Sequence, residues 1–249
     1  WQERDVLEFL DRATAHRMLG GEPERASFAR RYDFAFDRQR GVLATDQWKK
    51  RLLQRFTGRT AELAALLRLV HDEDPGIVFL DGQPGIGKSA LCAKLADELE
   101  GTAFIHFVRG RGQLCPGPEE LLAKLVEHLD RFAPAQVVPD PRDWQAQRDT
   151  ALRQLLELAD GKGPFAGRLV LVLDGLDESD PAGALLSAID PLLGVRTPHV
   201  TWVLSGRARN PMVRDWLEGL ERAGYALRRM ELGRLEPDDV RRYLTRHLR

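Results

Sequence analysis

Apolar residues follow two rhythms along the chain. In the first they recur every three or four positions: Val6, Leu7, Leu10 and Met18; then Trp48, Leu52 and Phe56; then Leu63, Leu66, Leu67 and Val70. That period predicts amphipathic helices over 1–19, about 45–56 and 60–71. In the second the residues run unbroken. Ile77-Val78-Phe79-Leu80 and Leu169-Val170-Leu171-Val172-Leu173 have the pattern of strands buried on both faces. Residues 103–108 and 200–205 predict two more strands, and the alternation over 226–232 marks a candidate fifth. Between them, helical patterns cover 88–99, 118–132, 144–160, 181–193 and 211–223, and a last one covers 237–249. Gly20-Gly21 with Pro23, Asp74-Pro75-Gly76 and the proline-rich 134–141 act as breaks. Strands separated by helices predict a parallel sheet covered on both faces, with right-handed crossovers.

The 249 residues carry a net charge of −1 and are 43% hydrophobic, enough for a full core without staples. No run of ~18 apolar residues is present, which excludes a helical membrane span on the sequence pattern. Cys92 and Cys115 are too few for a disulfide scaffold or a metal knuckle, which fits a reducing, cytoplasmic setting. Cys92 reads as a small buried residue and Cys115 as a loop thiol. The six histidines are scattered with no H-x-x-x-H pair, which argues against zinc. A balanced charge gives no case for nucleic-acid binding, and the Arg228-Arg229 and Arg241-Arg242 pairs read as a solvated face or a lid contact. Six lysines against 31 arginines suit a GC-rich, bacterial source. The chain begins at Trp1 and its last helix stops without a cap, so a piece of a longer protein is expected. Residues 1–55 then form a helical lead-in, a linker to an upstream domain, or both.

The chemistry concentrates after two strands. Gly82-Gln83-Pro84-Gly85-Ile86-Gly87-Lys88-Ser89 matches G-x-x-x-x-G-K-[ST] at every fixed position, behind an apolar strand and ahead of a helix. Glycines let such a loop curl so that its N–H groups face phosphate oxygens, and the following helix aims its positive end at the same point. Lys88 is placed to reach the β- and γ-phosphates, and the Ser89 hydroxyl to ligate Mg²⁺. The 169–173 strand delivers Asp174 at its C-terminal end, the edge where ligands bind in open parallel sheets. Asp174 is therefore a second Mg²⁺ position beside Ser89. Glu178 is the first candidate for orienting and deprotonating a water, and Asp177 the second. Both acids could instead cap the helix expected near Pro181.

Together these residues are recognisable. Asp174-Gly175-Leu176-Asp177-Glu178 resembles the NACHT branch of the STAND ATPases, signalling NTPases related to AAA+ proteins. Phe56-Thr57-Gly58-Arg59 with Glu62-Leu63 resembles the F-x-G-R-x-x-E-L motif of that group, whose loop touches adenine. Phe107-Val108-Arg109 resembles its second-strand arginine. Leu204-Ser205-Gly206-Arg207 resembles the T-S-R sensor strand, whose arginine faces the γ-phosphate, with Gly206 as an added residue. Leu235-Glu236-Pro237-Asp238-Asp239 with Tyr243-Leu244 resembles the start of a helical lid.

The resemblance covers 56–249. It implies a P-loop NTPase three-layer α/β sandwich with five parallel strands in the order 5-1-4-3-2. Residues 56–233 would be the NTPase domain and 234–249 the lid's beginning. ATP and ADP with Mg²⁺ are the implied cofactors, a choice supported by the lack of an N-K-x-D guanine motif. The implied function is a slowly hydrolysing switch in bacterial defence or cell-death signalling. It would form a homo-oligomer when a trigger engages a C-terminal sensor. A transcription-regulator core and a mechanochemical AAA+ ATPase are the rival expectations.

Overall fold

The computed structural model describes residues 45–72, 76–108, 118–137, 139, 140, 142–160, 165, 167–179, 183–195 and 197–247. The helix expected over 1–19, the arginine- and aromatic-rich stretch 28–40, Arg109, Cys115 and Pro181 lie outside them. In chain order the elements are α1 (Thr45–Arg55), α2 (Thr60–Val70), β1 (Ile77–Asp81), α3 (Lys88–Glu98), β2 (Ala103–Phe107), α4 (Pro118–Leu129) and α5 (Trp144–Ala159). Then follow β3 (Leu169–Asp174), a 3₁₀ turn (Leu176–Glu178), α6 (Ala184–Leu193), β4 (Val200–Gly206), α7 (Pro211–Arg222), β5 (Leu227–Glu231) and α8 (Pro237–His247).

All five strands pair in parallel, in the spatial order β2-β3-β4-β1-β5. Read from the other edge, this is the expected 5-1-4-3-2. Side-chain alternation sorts the strands into two apolar layers. Ile77, Phe79, Leu169, Leu171, Leu173, Trp202 and Leu204 face a thick layer that draws on α4, α5, α6 and α7. Val78, Leu80, Val170, Val172 and Val203 face a thinner layer containing Leu66 and Val70 of α2 and Leu91, Cys92 and Leu95 of α3. The unbroken apolar runs in β1 and β3 follow from this two-sided burial.

Local chemistry sets several element ends. Asn210 caps α7 by accepting from the Met212 and Val213 amides at 3.0 and 3.4 Å, with Pro211 in the first turn. Asp143 caps α5 through the Ala146 amide at 3.0 Å. Helix α1 packs on α3, where the Lys49 ammonium donates to the Ala96 carbonyl at 3.2 Å. The pattern in 174–183 was harder to read. Instead of a simple run into a helix near 181, the chain makes a 3₁₀ turn over Leu176–Glu178, and α6 starts only after Gly183. Gly175, at φ 88°, makes that turn possible, because a Cβ there would lie 2.5 Å from the Val108 carbonyl oxygen.

Candidate active site

The loop between β1 and α3 is shaped by its glycines. Gly85 and Gly87 have φ of 76° and 103°, which L side chains adopt at a cost. A Cβ on Gly82 would sit 2.9 Å from Ile86 Cγ2 and 3.2 Å from the Leu232 carbonyl oxygen, so the loop closes on itself there. Asp81, the last residue of β1, accepts from the Gly82 amide at 2.7 Å and the Ala208 amide at 2.9 Å. One carboxylate thus ties the root of the phosphate loop to the segment after β4. Lys88 folds over the loop and donates to the Gly82 carbonyl at 2.6 Å and the Gln83 carbonyl at 3.3 Å. Its ammonium is held within the cradle that the loop backbone outlines.

Asp174 ends β3 and is buried. Its carboxylate accepts a hydrogen bond from Ser205 of β4, and the Ser89 hydroxyl of α3 lies near enough to act on it. Burial pushes the Asp174 carboxyl up from its ordinary value. The two serine hydroxyls and the Lys88 ammonium oppose that rise, and neighbouring Asp177 adds to it. The geometry brings Ser89 and Asp174 together, two hard oxygen donors of the kind Mg²⁺ takes while keeping several waters. The curled glycine loop, Lys88 and this donor pair fit a Mg²⁺-bound nucleoside triphosphate.

Asp177 and Glu178 diverge from the same turn. The Asp177 side chain is 7% exposed and forms an ion pair with Arg207. Glu178 is exposed to solvent. Gly206, between Ser205 and Arg207, has a place in this arrangement. A Cβ there would stand 3.3 Å from Asp177 Oδ1, so the glycine leaves room for the acid beside the strand.

Gly58 and Arg59, expected from the resemblance to lie in a loop that touches adenine, stand between the phosphate loop and the segment after β5. Arg59 is 4% exposed. It donates to Glu62 Oε1 at 2.6 Å, the Ile86 carbonyl at 3.0 Å and the Gly233 carbonyl at 2.6 Å. Gly58 abuts Asp239 of α8 so closely that a side chain at 58 would collide with it.

Three participants escaped the sequence reading. Ser205 was read only as part of the sensor strand, yet it is the hydroxyl partner of Asp174. Asp81 carried no signal beyond ending a strand. Cys92 looked like a plain core residue. It does lie in the apolar layer, but its thiol also reaches Ser205 and Asp174 from beneath the site. Burial, followed by the nearby Asp174 charge, pushes that thiol's pKa well up, so it sits there as a neutral group. Only register could have exposed these links, since Asp81 pairs with Gly206 across the β1–β4 ladder.

Fold and loop together define the class: an α/β P-loop ATPase. The family model described as AAA ATPase domain matches residues 55–203, more than half of the chain, and the protein belongs to that family. A search among curated proteins finds no match. Solved structures with a similar fold include a chain of Drosophila ORC bound to GC-rich DNA and Cdc6, at 11% identity and a TM-score of 0.48. The similarity covers 79% of this chain and 64% of that one. The Aeropyrum pernix ORC1 protein in complex with DNA is 19% identical with a TM-score of 0.47, over 77% of this chain and 49% of that one. C. elegans PCH-2 is 14% identical with a TM-score of 0.35, over 78% of this chain and 45% of its own. The chain thus spans less than two thirds of the length of each of these three, and at these identities the likeness concerns fold alone. Among the described residues, no helix is long and apolar enough to cross a membrane.

Proposed function

We propose that the protein is the nucleotide-operated core of a STAND-class, NACHT-like switch, binding ATP and ADP with Mg²⁺ and hydrolysing ATP slowly. The observation that carries the reading is buried Asp174, hydrogen-bonded by Ser205 and with Ser89 beside it at the phosphate loop, followed by the Asp177 and Glu178 pair. Gly82, Gln83, Pro84, Gly85, Ile86 and Gly87 supply the cradle, and Lys88 the charge. Gly58 and Arg59 brace that cradle from the α2 side. Ser89 and Asp174 hold the metal, which when bound neutralises phosphate charge. Glu178 is exposed to solvent, which gives an attacking water access to its carboxylate and suits it to accept a proton. Asp177 is the second candidate for that proton. Arg207 follows Gly206, the register partner of Asp81, so its backbone stands beside the root of the phosphate loop. It is the residue proposed to register the γ-phosphate.

In this reading 56–233 is the ATPase unit, 45–55 belongs to a helical lead-in that packs on it, and 234–249 opens a lid. Differential binding of ATP and ADP to two arrangements of the full-length protein would drive assembly into a homo-oligomer when a trigger binds. Bacterial defence or cell-death signalling is the proposed setting. Light scattering on the full-length protein tests this. A larger mass with ATP plus the activating partner than with ADP is expected, and equal masses would leave an ATPase that is not a switch.

A further inference from the structure

Arg59 combines three features that are costly singly. Its φ is 60°, and it is the one non-glycine residue with positive φ among those described. That left-handed conformation costs about 1–2 kcal/mol for an L residue. Its guanidinium is withdrawn from water, and Nε has no hydrogen-bond partner among the described residues. Nη1 donates to Glu62, and Nη2 donates to two carbonyls far apart in sequence, Ile86 in the phosphate loop and Gly233 just beyond β5. A buried charge is tolerated only when such partners satisfy it.

The Ile86 contact has a direct consequence for the loop. A peptide unit is rigid and planar, and in the trans form its C=O and N–H point opposite ways. With the Ile86 oxygen held by Arg59, the Gly87 N–H of the same unit must point away from Arg59. Gly87 has φ 103°, and a Cβ built on it meets nothing within 4 Å, so packing on the Cβ side of Gly87 does not hold that peptide. Glycine's freedom would otherwise let it flip. The arginine supplies the restraint that the glycine lacks.

We infer that Arg59 is a positioning residue: it locks the Ile86–Gly87 peptide in the orientation that presents the Gly87 N–H to phosphate, and it ties that setting to the β5–α8 segment through Gly233. Gly58 against Asp239 extends the same connection to α8. The inference rests on the nucleotide reading above only for the identity of the anion; the peptide's restraint is a property of the protein itself.

The sequence allows a direct test, because Ile is followed by Gly only at 86–87. Labelling with ¹³C′-isoleucine and ¹⁵N-glycine therefore isolates this one amide in the NMR spectrum of the whole chain. The variant is Arg59→Lys, which keeps a cation but gives up the planar fork that serves Glu62 and both carbonyls together. The wild type should give one Gly87 signal. In Arg59→Lys that signal should split or shift while the rest of the spectrum holds, and ADP affinity should fall roughly tenfold, the worth of one charge-assisted hydrogen bond.

Should the lysine variant fail to fold, Glu62→Gln loosens the fork at its outer end and should move the same signal less far. A single Gly87 signal at its wild-type position with unchanged ADP affinity overturns the proposal. A split signal in a protein whose wild type binds no nucleotide would sink the nucleotide reading and leave the restraint standing. Amide exchange over 232–236 should slow on adding Mg²⁺-ADP in the wild type but not in Arg59→Lys; slowing in both would remove the Gly233 tie.

Discussion

The loops after β1 and β3 end neighbouring parts of the same sheet edge and are built on opposite principles. The β1 loop works through its backbone. Its glycines set the curvature, its amides form the cradle, and one lysine closes it. The β3 loop works through side chains that neighbours place. Asp174 depends on Ser205 and Ser89, Asp177 on Arg207, and the turn itself on the space Gly175 leaves beside Val108. A backbone device can be written into eight consecutive residues. A side-chain device needs partners from strands that meet only in the folded sheet.

If that contrast is right, damage to the two loops should separate turnover from binding. The largest effect is expected at Glu178. Glu178→Gln keeps the shape and removes the proton acceptor, so ATP hydrolysis should fall ~10²-fold or more with ATP still bound. Single-turnover hydrolysis with a parallel binding assay checks it, and an unchanged rate would move the role to Asp177 or to neither. Lys88→Ala strikes the other loop. It should weaken ATP and ADP binding by roughly 100-fold, the loss of a strong charge-assisted contact. Calorimetry giving equal affinities would end the assignment of the β1 loop as the phosphate site.

Ser205→Ala probes how far the β3 loop depends on its neighbour. Removing the hydroxyl leaves Asp174 Oδ1 short of a buried donor, at about 1–3 kcal/mol. It should also let burial push the Asp174 carboxyl higher still. Chemical denaturation measures the first, and the pH dependence of Mg²⁺-nucleotide binding measures the second. An unaltered variant would mean that Ser89 alone satisfies the carboxylate.

The smallest effect lies away from both loops and serves as their control. His106 of β2 and His128 of α4 are both held near pKa 4 chiefly by burial, with the Lys124 charge acting further on His106 and the Arg131 charge on His128. Because their folded pKa values lie below the ordinary 6.5, the unfolded chain takes up more protons between about 6.5 and 4. Their contribution to stability is therefore full above that window and is lost as pH falls through it. His106→Leu should flatten the decline in melting temperature over this range and leave nucleotide affinity at neutral pH alone. An equally steep decline would place the acid sensitivity elsewhere.

How much was legible follows the same division. The strands of β1 and β3 stood out because both faces are buried and the apolar runs are unbroken. Strand β5 was only a candidate, since its Arg228 and Arg229 sit at an edge, paired with Asp72 and Glu221 respectively. The phosphate loop could be read residue by residue. The 3₁₀ turn at Leu176–Glu178 could not, because its acids serve as well for a helix start, and the space that decides between the two is defined by Val108, just beyond β2.

By itself the sequence determined the α/β class, the phosphate loop, and the delivery of Asp174 to the ligand-binding edge, because each depends on residues adjacent in the chain or on a short period. Only the tertiary structure decided that Asp177 is tied to Arg207, that Ser205 and Cys92 sit beside Asp174, and that Arg59 spends its charge on Ile86 and Gly233. Those are contacts across 27 to 174 residues of chain. Their energy comes from pairing polar groups that burial has stripped of water, and no local pattern records which groups the fold will bury together.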